Sequence, residues 1–215
     1  MIKIEKTDVY GWGSAIRGMR NPLNSWDKSD SNLIYIIKDD GKYIEDFIGE
    51  NDLALMKKLS KAGSDHAKFL RMINVTCDIT APLYWWKEFD TDKVGTVANS
   101  CSTMHKLHAK EFSIADFSWE HLDPLAIGSL EETIKVMNIY REMYLHDKNK
   151  RWWLQMVQLL PTSYNQKRTV QMNYQVLKNI YFARRNHKLD CWRDLCDWIE
   201  KLPYFKEICL VEDEK

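Results

Sequence analysis

The sequence has 215 residues, and its 31 Lys and Arg are balanced by 31 Asp and Glu, so that the formal net charge is zero. Hydrophobic residues make up 45% of the chain, which supports a folded core and excludes a disordered protein. Zero net charge argues against a coat protein for long nucleic acids, and no apolar run reaches the roughly 18 residues that cross a bilayer. The N-terminus has no apolar signal core. We therefore expect a soluble, cytoplasmic protein with neither a membrane nor a long nucleic acid as partner.

In the first half of the chain, three short segments have strand-like patterns, of which residues 73–79 show the clearest period of two, and one segment has helical spacing. Strands are predicted over residues 2–5, 33–37 and 73–79, and a helix over residues 51–62. The turn Asp39-Asp40-Gly41 closes the second strand. Residues 11–31 form a polar stretch that contains glycine, in which no regular element is predicted.

The second half is predicted to be mostly helical. An aromatic helical segment covers residues 83–89, and Ser129-Leu130-Glu131-Glu132 has the capping-box pattern that opens a helix. Three further helices are predicted over residues 151–160, 170–185 and 189–202. The sum is an α+β protein, a single domain over residues 1–215, with a small antiparallel or mixed sheet and several long helices.

The five cysteines show no pairing pattern. Their number is odd, and no two of them have the Cys-x-x-Cys spacing of a zinc ribbon or redox motif. We expect all five to be reduced and no metal to be bound. They are Cys77, Cys101, Cys191, Cys196 and Cys209.

Charge is unevenly distributed along the chain. Residues 167–193 contain seven basic residues and one acid, whereas residues 27–52 contain eight acids and three lysines. The basic stretch is interpreted in two ways. It is either a solvated helix face, or it binds anions as a phosphate pocket or as a surface for the acidic segment of a neighbouring subunit.

Two blocks of sequence, in the same order and with similar gaps, resemble the flavin-dependent thymidylate synthases of the ThyX family. The first is Ile-Thr-Ala-Pro-Leu-Tyr-Trp-Trp-Lys-Glu-Phe over residues 79–89, with Val-Gly-Thr and Asn-Ser-Cys-Ser after it. The second is Leu-Leu-Pro over residues 159–161, followed by Thr169, Asn173, Asn179 and Arg184. His66 lies before the first block where the family has a histidine. The resemblance covers residues 64–192.

The resemblance implies reductive methylation of a pyrimidine deoxynucleotide of the dUMP type. FAD would be reduced by NADPH and would carry the methylene group from methylenetetrahydrofolate to the base. It also implies a homotetramer in which several subunits build each site. The chemistry belongs mostly to the cofactor, so that the chain would chiefly orient rings and hold phosphate.

The same resemblance implies the site residues. Arg184 would hold phosphate, Asn173 and Asn179 would contact the flavin, and residues 96–102 would close over the base. It indicates no catalytic residue. The implied substrate-binding residues are Glu88, Asn99, Ser100, Cys101, Ser102 and Arg184, and the implied cofactor-binding residues are His66, Lys93, Thr96, Asn173 and Asn179.

The sequence differs from the family at its most diagnostic motif, Arg-His-Arg, which is replaced by Thr91, Asp92 and Lys93. A lysine does not reproduce the fork of donors that an arginine presents. In the following loop the family's Glu, Ser and Arg fall on Asn99, Cys101 and Thr103, and a shift of one residue would place Ser100 or Ser102 on the serine.

Two other cations of the family are also missing. The arginine before Leu-Pro falls near Val157 or Gln158, and the arginine after the matching Asn becomes Gln175. Glu88 replaces a family Gln, and because a carboxylate only accepts hydrogen bonds, an amino pyrimidine such as dCMP becomes an alternative substrate. The other alternative is a catalytically inactive nucleotide-binding or oligomeric module on the same scaffold.

Overall fold

The structure is a computed structural model that describes residues 2–38, 41–92 and 94–210. Its contacts divide these residues into two compact units. Unit 1 contains residues 2–6, 77–92 and 98–170, and unit 2 contains residues 7–38, 41–76, 94–97 and 171–210. The assignment of the chain to a single domain stays a prediction.

The elements confirm an α+β fold. The strands are β1 (Lys3–Tyr10), β2 (Asn32–Lys38), β3 (Gly41–Phe47), β4 (Asn74–Pro82), β5 (Val97–Ser100) and β6 (Asn165–Asn173). The helices are α1 (Trp12–Arg20), α2 (Glu50–Lys61), α3 (Leu83–Phe89), α4 (Pro124–Asp147), α5 (Lys150–Leu159), α6 (Tyr174–Arg184), α7 (Asp190–Ile199) and α8 (Phe205–Cys209). No helix in the described ranges is long and apolar enough to span a bilayer.

Four strands form one sheet in the order β1-β4-β6-β5, and β2 pairs with β3 in an antiparallel hairpin. The N–H of Tyr174, just after β6, donates to the carbonyl of Ile73, just before β4, at 3.0 Å. Beyond the opposite ends of these strands, the N–H of Leu83 donates to the carbonyl of Tyr164, also at 3.0 Å. β4 and β6 therefore run antiparallel.

Unit 1 is built around aromatic side chains of α3 and the inner faces of α4 and α5. Trp85, Trp86 and Phe89 are at most 1% exposed, and the rings of Trp85 and Phe89 stack with centroids 5.0 Å apart. The indole N–H of Trp86 donates to the carbonyl of Gln166 at 2.9 Å, which ties α3 to β6. Met137 of α4 is fully buried in the second cluster of this unit. Both tryptophans are therefore core residues of unit 1.

Unit 2 has its core where α1, α6 and α8 meet. Tyr174 is fully buried between Trp12 and Phe205, with ring centroids 5.5 and 5.3 Å away. Its hydroxyl donates to the carbonyl of Pro203 at 2.6 Å, so that the polar end of this buried ring is satisfied.

A buried ion pair in unit 2 fixes the loop after α1. The Nε of Arg20 donates to Asp52 at 2.6 Å, and the two side chains are 4% and 0% exposed. The other guanidinium nitrogens donate to the carbonyls of Ser25 and Lys28, each at 3.0 Å. Asp52 also accepts from the hydroxyl of Ser31 at 2.7 Å. The pair thus holds a loop in place by satisfying its backbone carbonyls.

Two helix boundaries predicted from the sequence are wrong. α4 begins at Pro124, because Asp123 caps it by accepting from the N–H of Ala126 at 2.9 Å and proline suits the first helical position. Ser129 lies inside this helix and donates to the carbonyl of Leu125 instead of capping. The predicted helix over residues 170–185 begins as strand β6, and α6 starts only at Tyr174.

Four elements, α1, β3, β5 and α8, were absent from the prediction. α1 buries Trp12, Ile16 and Met19 at helical spacing, but three glycines between residues 11 and 18 lower the helix propensity of this stretch. β3 pairs with β2, and Asp39 and Asp40 of the predicted turn lie outside the described residues.

The buried pair leads to a prediction about stability. Asp52→Asn leaves the Arg20 guanidinium buried without its counter-charge, and we expect the free energy of unfolding to fall by about 3–5 kcal/mol. Denaturant titration measures this loss. Glu132→Gln is the control, because its ion pair with Lys135 joins side chains that are 67% and 69% exposed, and we expect a change of about 0.5 kcal/mol or less. Equal effects of the two substitutions would contradict the assigned role of the pair.

The same pair predicts how stability depends on pH. Burial opposes ionisation of Asp52, but hydrogen bonds from Ser31, Ser29 and Arg20 outweigh it and lower its pKa. An acid whose pKa is lower in the folded state stabilises the fold above its unfolded pKa. The contribution of Asp52 is therefore lost as the pH falls from about 4 through the lowered pKa. Asp52→Asn should flatten the acid limb of the unfolding profile.

Candidate functional site

In unit 1, the end of α3 carries Glu88 and the first residue that replaces the Arg-His-Arg motif. Glu88 is partly buried, and its carbonyl accepts from the N–H of Thr91 at 3.0 Å and from the Thr91 hydroxyl at 2.7 Å. The Thr91 hydroxyl thus donates its hydrogen to the last turn of α3. Thr91 offers no positive charge in place of the arginine.

A cation that the resemblance did not indicate, Arg168 of β6, lies at the same end of α3. Its guanidinium stacks over the ring of Trp86, with the carbon 4.2 Å from the ring centre. Nη1 donates to Asp90 at 2.7 Å, and Nε donates to Gln166 at 3.0 Å. Arg168 therefore neutralises Asp90, the residue that follows α3. The sequence marks Lys167 and Arg168 only as members of the basic stretch over residues 167–193.

Residues 99–102 lie on β5 and just after it. All four residues of β5 are exposed. The N–H of Cys101 donates to the carbonyl of Lys167 at 2.9 Å, and the carbonyl of Cys101 accepts from the amide of Gln166 at 2.7 Å. The Ser102 hydroxyl oxygen accepts from the N–H of His105 at 2.8 Å. The backbone of Cys101 is thus fixed against β6, while Asn99 and Ser100 are exposed.

The thiols differ in their surroundings. All five are free, and Cys101 alone among them is exposed. Burial raises the pKa of Cys77 to about 12, so that this thiol stays protonated. No group of three or more His, Cys, Asp or Glu able to hold a metal ion is found within residues 2–38, 41–92 and 94–210.

In unit 2, the turn before β5 packs against the beginning of α6. Gly95 has a φ of +79°, and a Cβ on it would lie 3.0 Å from Val176 and 3.1 Å from the amide nitrogen of Asn173. Only glycine allows this conformation and approach without strain. Asn173 caps α6, because its Oδ1 accepts from the N–H of Val176 at 3.0 Å. The structure therefore brings two predicted cofactor residues, Thr96 and Asn173, to one place.

The Thr96 hydroxyl is the polar group of this turn that lacks a partner. Its oxygen is buried and makes no hydrogen bond within the described part of the chain. An unpaired buried polar atom is uncommon in native proteins and calls for a bound group or water. The partly buried amide of Asn173 lies against the preceding residue, Gly95, at the beginning of a helix where the backbone dipole favours anions.

α6 carries two more predicted residues. Asn179 is exposed, and its Oδ1 accepts from the amide of Gln175 at 3.0 Å. The guanidinium carbon of Arg184 lies 4.7 Å from the ring centre of Trp192, so that the arginine is oriented by stacking. His66 is exposed, and its backbone N–H donates to the carbonyl of Gly63 at 3.1 Å. Lys93 lies outside the described residues.

Comparison with known proteins gives a clear result for the fold only. No protein-family model and no curated protein matches the sequence. Two solved structures of the flavin-dependent thymidylate synthase ThyX from Helicobacter pylori, each with FAD and dUMP, match with TM-scores of 0.66 and 0.67. Each is 15% identical to this chain, and the matches cover 96% and 97% of this chain and 97% of theirs. The chain therefore has the α+β fold of these thymidylate synthases.

Proposed function

We propose that the chain is a divergent member of the ThyX family, a flavin-dependent enzyme that modifies a pyrimidine deoxynucleotide. The observation that carries the proposal is the unpaired, buried hydroxyl of Thr96, which follows Gly95 in the turn that packs against the capped N-terminus of α6. The solved structures with this fold hold FAD and dUMP, which supports a nucleotide as the missing partner.

The residues of unit 2 fit a flavin nucleotide. The hydroxyl of Thr96 and the amides of Asn173 and Asn179 would hold the cofactor, and His66 is a fourth candidate. When bound, the flavin supplies the redox chemistry, and the chain supplies orientation. NADPH and methylenetetrahydrofolate as co-substrates, a homotetramer and a cytoplasmic location belong to the same proposal.

The substrate would be held by Arg184 through its phosphate. Stacking on Trp192 fixes the plane of the guanidinium, and a planar fork of donors suits a phosphate group. Glu88 accepts hydrogen bonds and does not donate them when ionised, and cytosine presents an amino group where uracil presents a carbonyl. We therefore expect dCMP to be preferred over dUMP if Glu88 contacts the base.

A second function, nucleotide binding without flavin chemistry, is favoured by the end of α3. There the Thr91 hydroxyl binds the carbonyl of Glu88, and Arg168 is held by Asp90. Both side chains are thus engaged by other residues of the chain. A chain that binds nucleotides but gives no flavin band would have this second function.

Thr96→Val tests the cofactor site. We expect unchanged or higher stability, because the substitution removes an unsatisfied buried hydroxyl, and about tenfold weaker FAD binding, because one hydrogen bond is lost. Flavin fluorescence and the visible spectrum measure binding, and thermal unfolding measures stability. Thr133→Val is the control, since that hydroxyl donates to the carbonyl of Ser129 within α4. Absence of both a flavin band and an FAD-dependent thermal shift in the wild type would refute the flavoenzyme.

Arg184→Ala tests the substrate site. We expect it to abolish the rise in unfolding temperature that dCMP or dUMP produces, because the phosphate loses its bidentate partner. Arg185→Ala is the matched control, since this adjacent arginine stacks on Phe182 at 5.2 Å. Glu88→Gln as a single substitution, with Arg184 kept, should shift the nucleotide preference from dCMP toward dUMP. An Arg184→Ala variant that responds to nucleotides like the wild type would show that the site is misplaced.

A further inference from the structure

A group of basic side chains in unit 1, the α4 basic cluster, consists of Lys106, His108, Arg141 and Lys148. His108 lies in the 3-10 turn Leu107–Ala109, and its ring packs edge-on against Tyr144 of α4 with centroids 4.8 Å apart. Nε of Arg141 donates to the carbonyl of His108 at 3.1 Å, which fixes the turn to the helix. The ammonium of Lys148 lies 5.4 Å from the ring centre of Tyr144.

The cluster holds more positive than negative charge. Burial, and then Lys148, Lys106 and Arg141, lower the pKa of His108, so that all three cations act on the imidazole. Two acids lie beside them. Glu142 pairs with Arg141 from a position 70% exposed, and Asp147, next to Lys148, accepts from the N–H of Asn149 and the indole of Trp152. The end of α4 adds roughly half a negative charge. α5, which also packs on the turn, begins with the basic residues Lys150 and Arg151. Three cations are thus opposed by two carboxylates and a helix end.

The ring of His108 has a second unusual feature. Its Nδ1 is buried and makes no hydrogen bond to any residue in the described ranges. Buried polar atoms are normally satisfied by protein, by water or by a bound ion. The cations favour an anion at this place, and the unpaired Nδ1 would donate to it in the tautomer that carries its hydrogen there.

We propose that the α4 basic cluster binds a phosphate-type oxyanion, as inorganic phosphate or as the phosphate of a small phosphorylated molecule. Such an anion is rich in acceptors. The lysines and the arginine offer donors and positive charge, and the neutral imidazole offers one N–H donor. This site uses none of the residues assigned above to nucleotide or flavin binding. It therefore stands or falls independently of the proposed function.

The test is calorimetric titration of the full chain with inorganic phosphate and pyrophosphate at low ionic strength. We expect the wild type to bind, and the double variant Lys106→Ala/Lys148→Ala to bind at least about tenfold more weakly, because two charge-assisted contacts are lost. Lys135→Ala is the matched control, since it removes one charge from α4 at a surface pair with Glu132. Its affinity should stay within about twofold of the wild type. Thermal unfolding verifies that each variant is folded.

Two results would overturn the proposal. One is the absence of binding by the wild type at millimolar phosphate. The other is equal weakening by Lys135→Ala and by the double variant, which would mean that the basic groups only complement the end of α4. A local readout is the imidazole NMR signal of His108, identified with His108→Gln. Phosphate should raise its pKa, and an unchanged pKa at saturating phosphate also contradicts the site.

The source of the anion is distinguished in an Arg184→Ala background, in which the proposed nucleotide site is disabled. Titration with deoxycytidine, dCMP and inorganic phosphate then reports on the α4 basic cluster alone. If dCMP binds and deoxycytidine does not, the α4 basic cluster is assigned to a phosphorylated molecule. Binding of inorganic phosphate alone assigns it to the free ion.

Discussion

The backbone hydrogen bonds of β6 are the constraint on which the rest of the fold depends. β6 is an inner strand with β4 on one side and β5 on the other. Through these bonds the carbonyl of Lys167 positions Cys101, and the turn just before β6 supplies the carbonyl of Tyr164 to the first residue of α3. At its other end, Asn173 turns the strand into α6 by capping. In unit 1, β6 therefore fixes the backbone of Cys101, which is predicted to bind substrate, and in unit 2 it ends at Asn173, which is predicted to bind the cofactor.

Although the total charge is zero, the cations of the basic stretch over residues 167–193 have different partners. Lys167 pairs with Asp78 at 2.9 Å, and Arg168 pairs with Asp90 at 2.7 Å, so the first two members of the basic stretch hold unit 1 together. Arg184, further along, stacks on an aromatic ring instead. The basic stretch is therefore neither a single solvated helix face nor a single pocket wall. Strand, helix and loop residues within it have different partners.

Much of the fold could be predicted from the sequence, where periodicity was long and unambiguous. The alternation over residues 73–79 predicted β4, and the end of the helix predicted over 151–160 was correct to one residue. β6 was mistaken for a helix, because Val170 and Met172 are its two buried apolar residues, too few to show the period of two, and the apolar residues of α6 follow directly. α1 was missed because its glycines outweighed the spacing of its buried residues.

The candidate site was predictable only in part, for a physical reason. The resemblance to the ThyX family pointed to Thr96 and Asn173, and the fold places Gly95, the residue before Thr96, against Asn173. The pairing of Arg168 with Asp90 joins residues far apart in sequence, and the sequence alone gives no signal of the contact. The same holds for the Thr91 hydroxyl, whose hydrogen bond depends on where α3 ends.

One further consequence concerns the cysteines as chemical handles. Cys101 is exposed, whereas Cys77, Cys191, Cys196 and Cys209 are buried, and burial raises the pKa of each of these four. A thiol reagent applied to the folded protein would therefore attach to one position, immediately after β5, without any engineered substitution. A spin label or fluorophore introduced there would report on the surroundings of β5 in the native sequence.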